Sequence, residues 1–257
     1  MNKPKRILNV LPSKSPETDW GEREAIAAGG LFDRGGRPPK AMSWVSDHTP
    51  VQHQGQTGAC VGYATAYGVL WPQLMKAGLI KKNQMPSARF IWQSAKEVDV
   101  YNIRPTSFVD TSGTYLKTAC QIVTKYGCLL EETLPMRPKI CTLSEDELYA
   151  QASRLKAKSY HNLGVNPDRW RRWISQVGPV LTRLVPDRQF HIGRRKVLSD
   201  YQRDMDTAGH AVVIVGYSPS GFIVRNSWGK SWGMGGYAVV DEDYAVAAFA
   251  ESYGILI

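Results

Sequence analysis

The segment from residue 58 to residue 71 constrains the fold more than any other part of the chain. It carries no charged side chain, and small residues recur closely among apolar and aromatic ones. A helix of this composition is buried on all sides and packs tightly on its neighbours. Pro72 would clash within a continuing helix, so we expect a kink or an end near Trp71. The chain must supply a core around this helix, and its 257 residues suffice for one large domain or two lobes.

The rest of the first half is also mainly helical. Residues 87–98 predict a second helix, and the apolar positions from 115 to 123 predict a third, which opens at Ser112 and ends near Gly127. The N-terminal residues differ, because glycine pairs interrupt a segment of mixed charge with few large apolar side chains. Only residues 22–28 favour a short helix there. We therefore predict an N-terminal arm or short pro-like segment over 1–37 and a domain over 38–257.

The second half of the chain is rich in strands. Asn166 and Pro167 are typical of a helix N-cap and first helical position, and Gly178-Pro179 ends that helix. β-Branched and aromatic runs, bounded by Gly and Ser, predict strands at 180–185, 211–217, 222–226 and 237–241. The expected fold class is α+β, with a helical part mainly over 57–150 and a β-rich part mainly over 160–257.

Cys60 stands at the start of the uncharged helix, after a glycine-containing turn. The unpaired N–H groups and the positive dipole end of a helix N-terminus favour the thiolate, which is the nucleophilic form of cysteine. A lone buried cysteine is more often a small apolar core residue. We interpret Cys120, Cys128 and Cys141 in that way.

Two later residues could complete a nucleophilic site with Cys60. His210 begins an apolar strand, where its imidazole could take the thiol proton and later give it to a leaving group. Asn226 begins a Gly- and Trp-rich segment, and its amide oxygen could accept the imidazole N–H and fix the tautomer. Singly, these residues have ordinary explanations, a hydrogen-bonded strand-end histidine and a Gly-rich turn. Their order and neighbours favour a catalytic triad.

Three segments together resemble the papain-like cysteine peptidases. They are the nucleophile segment 50–60, the histidine segment 209–212 and the segment 226–233, Asn-Ser-Trp-Gly-Lys-Ser-Trp-Gly, which is the most specific. From position 60, the histidine at 210 lies 150 residues downstream and the asparagine at 226 lies 166 downstream; about 130–150 is typical. The resemblance covers about residue 38 to residue 257. It implies a two-lobed fold, with a helical left lobe, a β-barrel-like right lobe and the active site in the cleft between them.

The resemblance also implies roles for individual residues. Gln54 would donate a side-chain N–H to the oxyanion hole, with the backbone N–H of Cys60 as the other donor. Trp228 would cover the His210–Asn226 pair and border the leaving-group side of the cleft. The substrate-binding residues implied beside Trp228 are Ser112, Gly113, Thr114, Tyr115, Arg183, Ala208 and Gly209.

Arg183 falls where the family usually has a small apolar residue in its main specificity pocket. There it could favour an acidic or polar substrate side chain, together with Thr114, Tyr115 and Ala208. A strand shift of one residue would instead point Arg183 at solvent. Two departures from the family pattern bear on the cellular setting more than on the chemistry. Thr57 replaces a cysteine that normally forms a disulfide, and Val61 replaces an aromatic residue after the nucleophile.

The leading hypothesis is a cysteine endopeptidase that hydrolyses protein or peptide substrates without a metal or an organic cofactor. One alternative is another acyl transfer or isopeptide cleavage on the same triad. A second alternative is a non-catalytic, papain-like binding module. The presence together of Cys60, His210, Asn226 and Gln54 favours catalysis.

Charge and cysteine content suggest where such a protein works. The net charge of +9 is spread along the chain, which favours solubility over an obligate nucleic-acid partner. We interpret the basic and aromatic segment 168–173 as one packed and one solvated helix face. No apolar run is long enough to span a membrane, and the one after the basic N-terminus is too short for a signal peptide. With Cys60 reserved for chemistry, three cysteines remain and cannot all pair. We therefore expect a cytoplasmic or otherwise reducing compartment, with signal-independent secretion as another route.

Overall fold

Helices dominate the first half of the chain in a computed structural model that describes residues 6–31, 35–98, 113–137, 142–193, 197–203 and 208–257. The helices are α1 (Glu22–Ala27), α2 (Cys60–Tyr63), α3 (Trp71–Lys76), α4 (Ala88–Val98), α5 (Leu116–Lys125), α6 (Glu145–Ala152), α7 (Pro167–Gln176), α8 (Arg188–Ile192) and α9 (Glu242–Ala248). Helix α4 and the N-cap of α7 at Asn166 lie where the sequence predicts them. Helix α5 begins at Leu116, and the predicted start at Ser112 lies outside the described residues.

The uncharged segment forms one continuous helical rod over residues 60–76, which extends beyond its predicted end. Helix α2 passes into a π-helical stretch, Ala64–Leu70, and then into α3, which continues to Lys76. All residues from 60 to 71 are buried, as expected. The predicted end near Trp71 was wrong, because the helix continues to Lys76, although the change from π-helical to α-helical backbone falls at that residue. The π-helical turn already interrupts the regular backbone bonding, so the missing N–H of Pro72 falls at the start of a new α segment, where proline is tolerated.

The strands form a single open sheet that is mostly antiparallel. They are β1 (Met42–Ser43), β2 (Ser159–Asn162), β3 (Val180–Leu184), β4 (Val197–Leu198), β5 (His210–Ser218), β6 (Gly221–Arg225), β7 (Tyr237–Val240) and β8 (Phe249–Leu256). Their order is β2-β8-β3-β5-β6-β7-β4, and β1 pairs with β5. The four predicted strands correspond to β3, β5, β6 and β7. The α+β fold class is confirmed.

The helical rod packs directly on the centre of the sheet. A Cβ on Gly68 would lie 2.4 Å from Cγ2 of Val213 in β5, so only a glycine allows this approach. A Cβ on Gly62 would lie 2.4 Å from the carbonyl oxygen of Ala88 at the start of α4. The small residues of the rod therefore serve close packing on both sides, and the rod is held between β5 and α4.

The N-terminal residues lie across both halves of the molecule. Asp19 forms an ion pair of 2.9 Å with Lys117 in α5. Glu22 in α1 is buried and pairs with Arg172 in α7 at 3.3 Å. Ala25 is also buried, although the glycine pairs of this segment argued against a packed core. The arm is thus anchored on α5 and on α7 by charged and apolar contacts.

Helix α7 has the two faces that its mixed composition predicts. Trp170 and Trp173 are buried, whereas Arg169, Arg171 and Arg172 are partly exposed. The described part of the chain has no helix that is both long and apolar enough to cross a membrane.

Replacing Gly254 by alanine should destabilise the fold. The added Cβ would lie 2.2 Å from Cε2 of Trp173, so α7 and β8 would have to separate. We expect the free energy of unfolding to fall by about 1–3 kcal/mol, measured by urea denaturation. Gly30→Ala is the control, because its Cβ would meet only Ala25 O at 3.4 Å. Equal stability of the two variants would contradict close packing of Gly254 on Trp173.

Candidate active site

Three element boundaries bring Cys60, His210 and Asn226 together. Cys60 is the first residue of α2, His210 is the first residue of β5, and Asn226 directly follows β6. The backbone N–H of Ala211, the residue after the histidine, lies near enough to the Cys60 thiol to oppose the rise of its pKa. The packing of the rod on β5 therefore sets the thiol beside the start of the histidine strand.

The asparagine fixes the orientation and the tautomer of the histidine. Nε2 of His210 lies 2.8 Å from Oδ1 of Asn226. The same oxygen accepts the backbone N–H of Ser227 at 2.7 Å, which identifies this end of the amide as the acceptor. Nε2 must then carry the proton. Nδ1 of His210 is left as a bare acceptor, and it is buried without a hydrogen bond to any described residue.

A cluster of aromatic rings covers the His210–Asn226 bond. The ring of Trp228 stacks on His210, with centroids 4.5 Å apart and an interplanar angle of 24°. Phe190 and Trp232 meet Trp228 edge-on, at 5.5 Å and 5.9 Å. Exclusion of water strengthens the hydrogen bond beneath, because the local dielectric is low.

Gln54 is tied to the same segment as Asn226. Its side-chain oxygen accepts the Ser227 hydroxyl at 2.6 Å, and its backbone N–H donates to the Ser227 carbonyl at 2.9 Å. Its amide nitrogen donates one N–H to the carbonyl of Thr57 at 2.8 Å. The amide is therefore held with its nitrogen on the Thr57 side, on the loop that leads to Cys60.

The N-terminal arm runs through the cleft over these residues. Oδ1 of Asn9 lies 3.8 Å from Sγ of Cys60. The backbone N–H of Val10 donates to the carbonyl of Gly209 at 3.0 Å, and that of Leu11 donates to the carbonyl of Thr114 at 3.3 Å. The arm thus takes up the groove that borders the thiol.

Glycine at position 113 makes room for the arm. A Cβ there would lie 1.6 Å from the carbonyl oxygen of Asn9, so no other residue allows the arm backbone to pass. At the other end of the cleft, the Arg6 guanidinium lies over the ring of Trp228, 3.9 Å from its centroid. The arm therefore spans the cleft from Trp228 to Gly113.

Burial in the cleft shifts the pKa values of Cys60 and His210 toward the neutral forms of both side chains. Burial raises the pKa of Cys60 to about 11, although the backbone N–H groups of Ala211 and Val61 oppose the shift. Burial lowers the pKa of His210 to about 3, although the hydrogen bond that it donates to Asn226 opposes the shift. The expectation that a helix N-terminus yields a thiolate does not hold in this covered state, because the loss of water outweighs the helix dipole.

The structure describes all but one of the other residues implied by the family resemblance. Gly113, Thr114, Tyr115 and Gly209 lie against the arm, Ala208 is exposed, and Ser112 lies outside the described residues. The guanidinium of Arg183 donates through Nε to the carbonyl of Val10 at 3.2 Å, so this side chain faces the cleft.

Glu251 is a cleft residue that sequence reasoning missed. It lies opposite Arg183 in the β3–β8 register and is only 7% exposed. One carboxylate oxygen accepts the backbone N–H of Ser13 at 3.0 Å, and the other is buried without a hydrogen bond to any described residue. Glu251 thus places a negative charge beside Arg183. The signal was available, since Glu251 is the one charged residue of the strand 249–256.

Comparisons with known proteins identify related sequences and folds. Residues 38–254 match the family model for papain family cysteine proteases. Mouse cathepsin K is 30% identical over 209 residues, which cover 75% of this chain but only 56% of cathepsin K. The chain therefore spans little more than half the length of that relative.

Solved structures share the fold over most of the chain. Xylellain, a cysteine protease from Xylella fastidiosa, is 18% identical, with a TM-score of 0.77 over 100% of this chain and 98% of xylellain. A Carica candamarcensis cysteine protease in complex with E-64 is 21% identical, with a TM-score of 0.64 over 85% of this chain and 98% of that one.

Loosening the arm should expose Cys60 to alkylation. Val10→Pro removes the N–H that donates to Gly209. One lost hydrogen bond of about 0.5–1.5 kcal/mol should speed iodoacetamide labelling of Cys60 roughly 2- to 12-fold, measured by mass spectrometry of the labelled peptide. Glu17→Pro, in the turn Pro16–Thr18 outside the cleft, is the matched control and should label like the wild type. Equal rates in both variants would show that the arm does not limit access.

The same substitution should shift the pH dependence of labelling. Burial raises the thiol pKa, so admitting water lowers the pKa and makes the thiolate available at lower pH. We expect the midpoint of the rate–pH profile at Cys60 to move to lower pH in Val10→Pro than in Glu17→Pro. An unchanged midpoint, or one that moves upward, would contradict control of the thiol by burial.

Proposed function

The chain belongs to the papain family of cysteine proteases, and we propose that it is an endopeptidase in which Cys60 is the nucleophile, His210 the general acid and base, and Asn226 the orienting residue. One observation carries this assignment. The 2.8 Å contact between Nε2 of His210 and Oδ1 of Asn226 leaves Nδ1 free to accept a proton, and the Cys60 thiol lies beside the backbone of the next residue, Ala211. Because the chain spans 56% of cathepsin K, the proposal concerns the chemistry of this region.

The proposed reaction proceeds in two acyl transfers. Nδ1 of His210 takes the thiol proton as Sγ of Cys60 attacks the peptide carbonyl carbon and the C–S bond forms. The oxyanion is stabilised by the backbone N–H of Cys60 and the side-chain nitrogen of Gln54. Collapse of this intermediate breaks the C–N bond, and the imidazolium protonates the leaving amine. Water, deprotonated by the same imidazole, then attacks the thioester and releases the acid and the thiol.

We further propose that the covered state is latent. The arm runs from Arg6 at Trp228, past Asn9 at the thiol, to Leu11 at Thr114. By family resemblance, the Trp228 side receives the leaving group. A substrate then runs the other way, since its acyl part precedes the scissile bond in the chain. The arm thus runs in the opposite direction to a substrate, and it presents the side-chain amide of Asn9 to Sγ of Cys60. Residues 6–11 must leave the cleft before substrate enters.

Triad variants test the proposed chemistry in the full chain carrying Val10→Pro. Cys60→Ala should abolish hydrolysis of a quenched fluorescent casein and labelling by the epoxide E-64. His210→Ala should lower kcat about 10²–10⁴-fold, and Gln54→Ala about 10²–10³-fold. Cys128→Ala, which removes another buried thiol outside the cleft, is the control and should keep both activities.

The pattern of results separates the alternatives. Labelling of Cys60 without cleavage of any peptide bond would favour another acyl transfer or isopeptide cleavage on the same triad. Absence of both activities in Val10→Pro would favour a binding module. Hydrolysis that survives Cys60→Ala would overturn the assignment of the nucleophile.

A further inference from the structure

The first residue of the described arm occupies a site that belongs to the domain and not to the arm. The half-buried guanidinium of Arg6 lies 3.9 Å from the centroid of the Trp228 ring and donates a hydrogen bond to the backbone carbonyl of His191. A cation withdrawn from water needs compensating partners. Here the partners are an aromatic face and a carbonyl dipole.

Both partners are fixed by contacts within the domain. His210 stacks on Trp228 at 4.5 Å, so the guanidinium lies over the opposite face of the indole. The imidazole of His191 is also nearly parallel to the indole, with centroids 5.7 Å apart. Phe190 and Trp232 hold the indole edge-on. The carbonyl of His191 lies in the last turn of α8, which is capped by the buried carboxylate of Asp187 at the N–H of Phe190. These contacts do not involve the arm, so the site persists when the arm withdraws.

The site favours a guanidinium over other side chains. Tryptophan gives the strongest cation–π contact among the aromatic residues. A guanidinium is planar and weakly hydrated, so it stacks on the indole while an N–H at its edge reaches the carbonyl. An ammonium is more strongly hydrated and has no plane to stack. A neutral side chain of the same shape lacks the charge that the ring attracts.

By the family resemblance, the site lies on the leaving-group side of the thiol. Arg6 precedes Asn9, which faces Sγ of Cys60, by three residues, and three extended residues span at most about 11 Å. A substrate side chain from one of the first three residues after the scissile bond can reach it. We propose that the outer face of Trp228 and the carbonyl of His191 form a subsite for arginine on the leaving-group side of the cleft, a subsite that the arm fills with Arg6 in the latent state. This inference rests on the proposed endopeptidase function.

Paired peptides test the subsite in the full chain carrying Val10→Pro. The peptides share one acyl half and carry either arginine or its neutral isostere citrulline at the first, second or third position after the cut. We expect kcat/KM to be about 3- to 30-fold higher with arginine at one of these positions, and lysine there to fall between the two. In Trp228→Leu this ratio should drop to about 1, whatever happens to the absolute rates. Arg183→Gln, which changes a charge on the acyl side, is the control and should keep the ratio.

A second measurement does not depend on peptide hydrolysis. In the otherwise wild-type chain, Arg6→Leu should speed E-64 labelling of Cys60 about 3- to 30-fold, whereas Arg6→Lys should keep most of the protection. Arginine and citrulline peptides cleaved equally at all three positions would overturn the subsite, as would a ratio that survives Trp228→Leu. If Cys60 is labelled but no peptide is cleaved, the endopeptidase proposal fails. The Arg6 variants then decide the subsite, which is overturned if Arg6→Leu labels like the wild type.

Discussion

The contact between Gly68 of the helical rod and Val213 of β5 holds the candidate site together. The rod begins at Cys60 and the strand begins at His210, so the distance between rod and strand sets the distance between thiol and imidazole. A side chain at position 68 would force the two apart, because even a Cβ would lie 2.4 Å from Val213. The small, uncharged residues of the rod therefore allow a site in which Cys60 and His210 come from opposite halves of the chain.

A second set of contacts fixes the orientation of the imidazole and also excludes water from both groups. Asn226 holds the imidazole with Nε2 protonated, and Trp228 keeps water from that bond. The same dry environment, completed by the arm over Sγ, leaves the thiol and the imidazole both neutral. The arm therefore acts on the site in two ways, since it fills the groove and also removes the solvation that a thiolate–imidazolium pair requires. Under the proposed mechanism, latency and activation are linked through water at Cys60.

The sequence predicted the elements whose local chemistry is distinctive. Strand β5 has a long β-branched run, and Asn166 with Pro167 marks the start of α7. It could not predict the path of the rod through Pro72, since the π-helical turn depends on packing against the sheet. The sequence also could not predict the route of the arm. Val10 and Leu11 are bound through backbone N–H groups, which every residue except proline has, so no motif marks them. Glu251 was missed although it is the one charged residue of its strand, because its meaning depends on its pairing with Arg183 in a neighbouring strand.

The most direct test of the central claim is a crystal structure of the full chain after reaction with E-64. We predict a covalent bond from Sγ of Cys60 to an epoxide carbon, an intact hydrogen bond between His210 and Asn226, and residues 6–11 displaced from the cleft. An adduct on another cysteine would contradict the assignment of the nucleophile. An adduct at Cys60 with Val10 still bound to Gly209 would contradict the proposal that the arm must leave before the site can act.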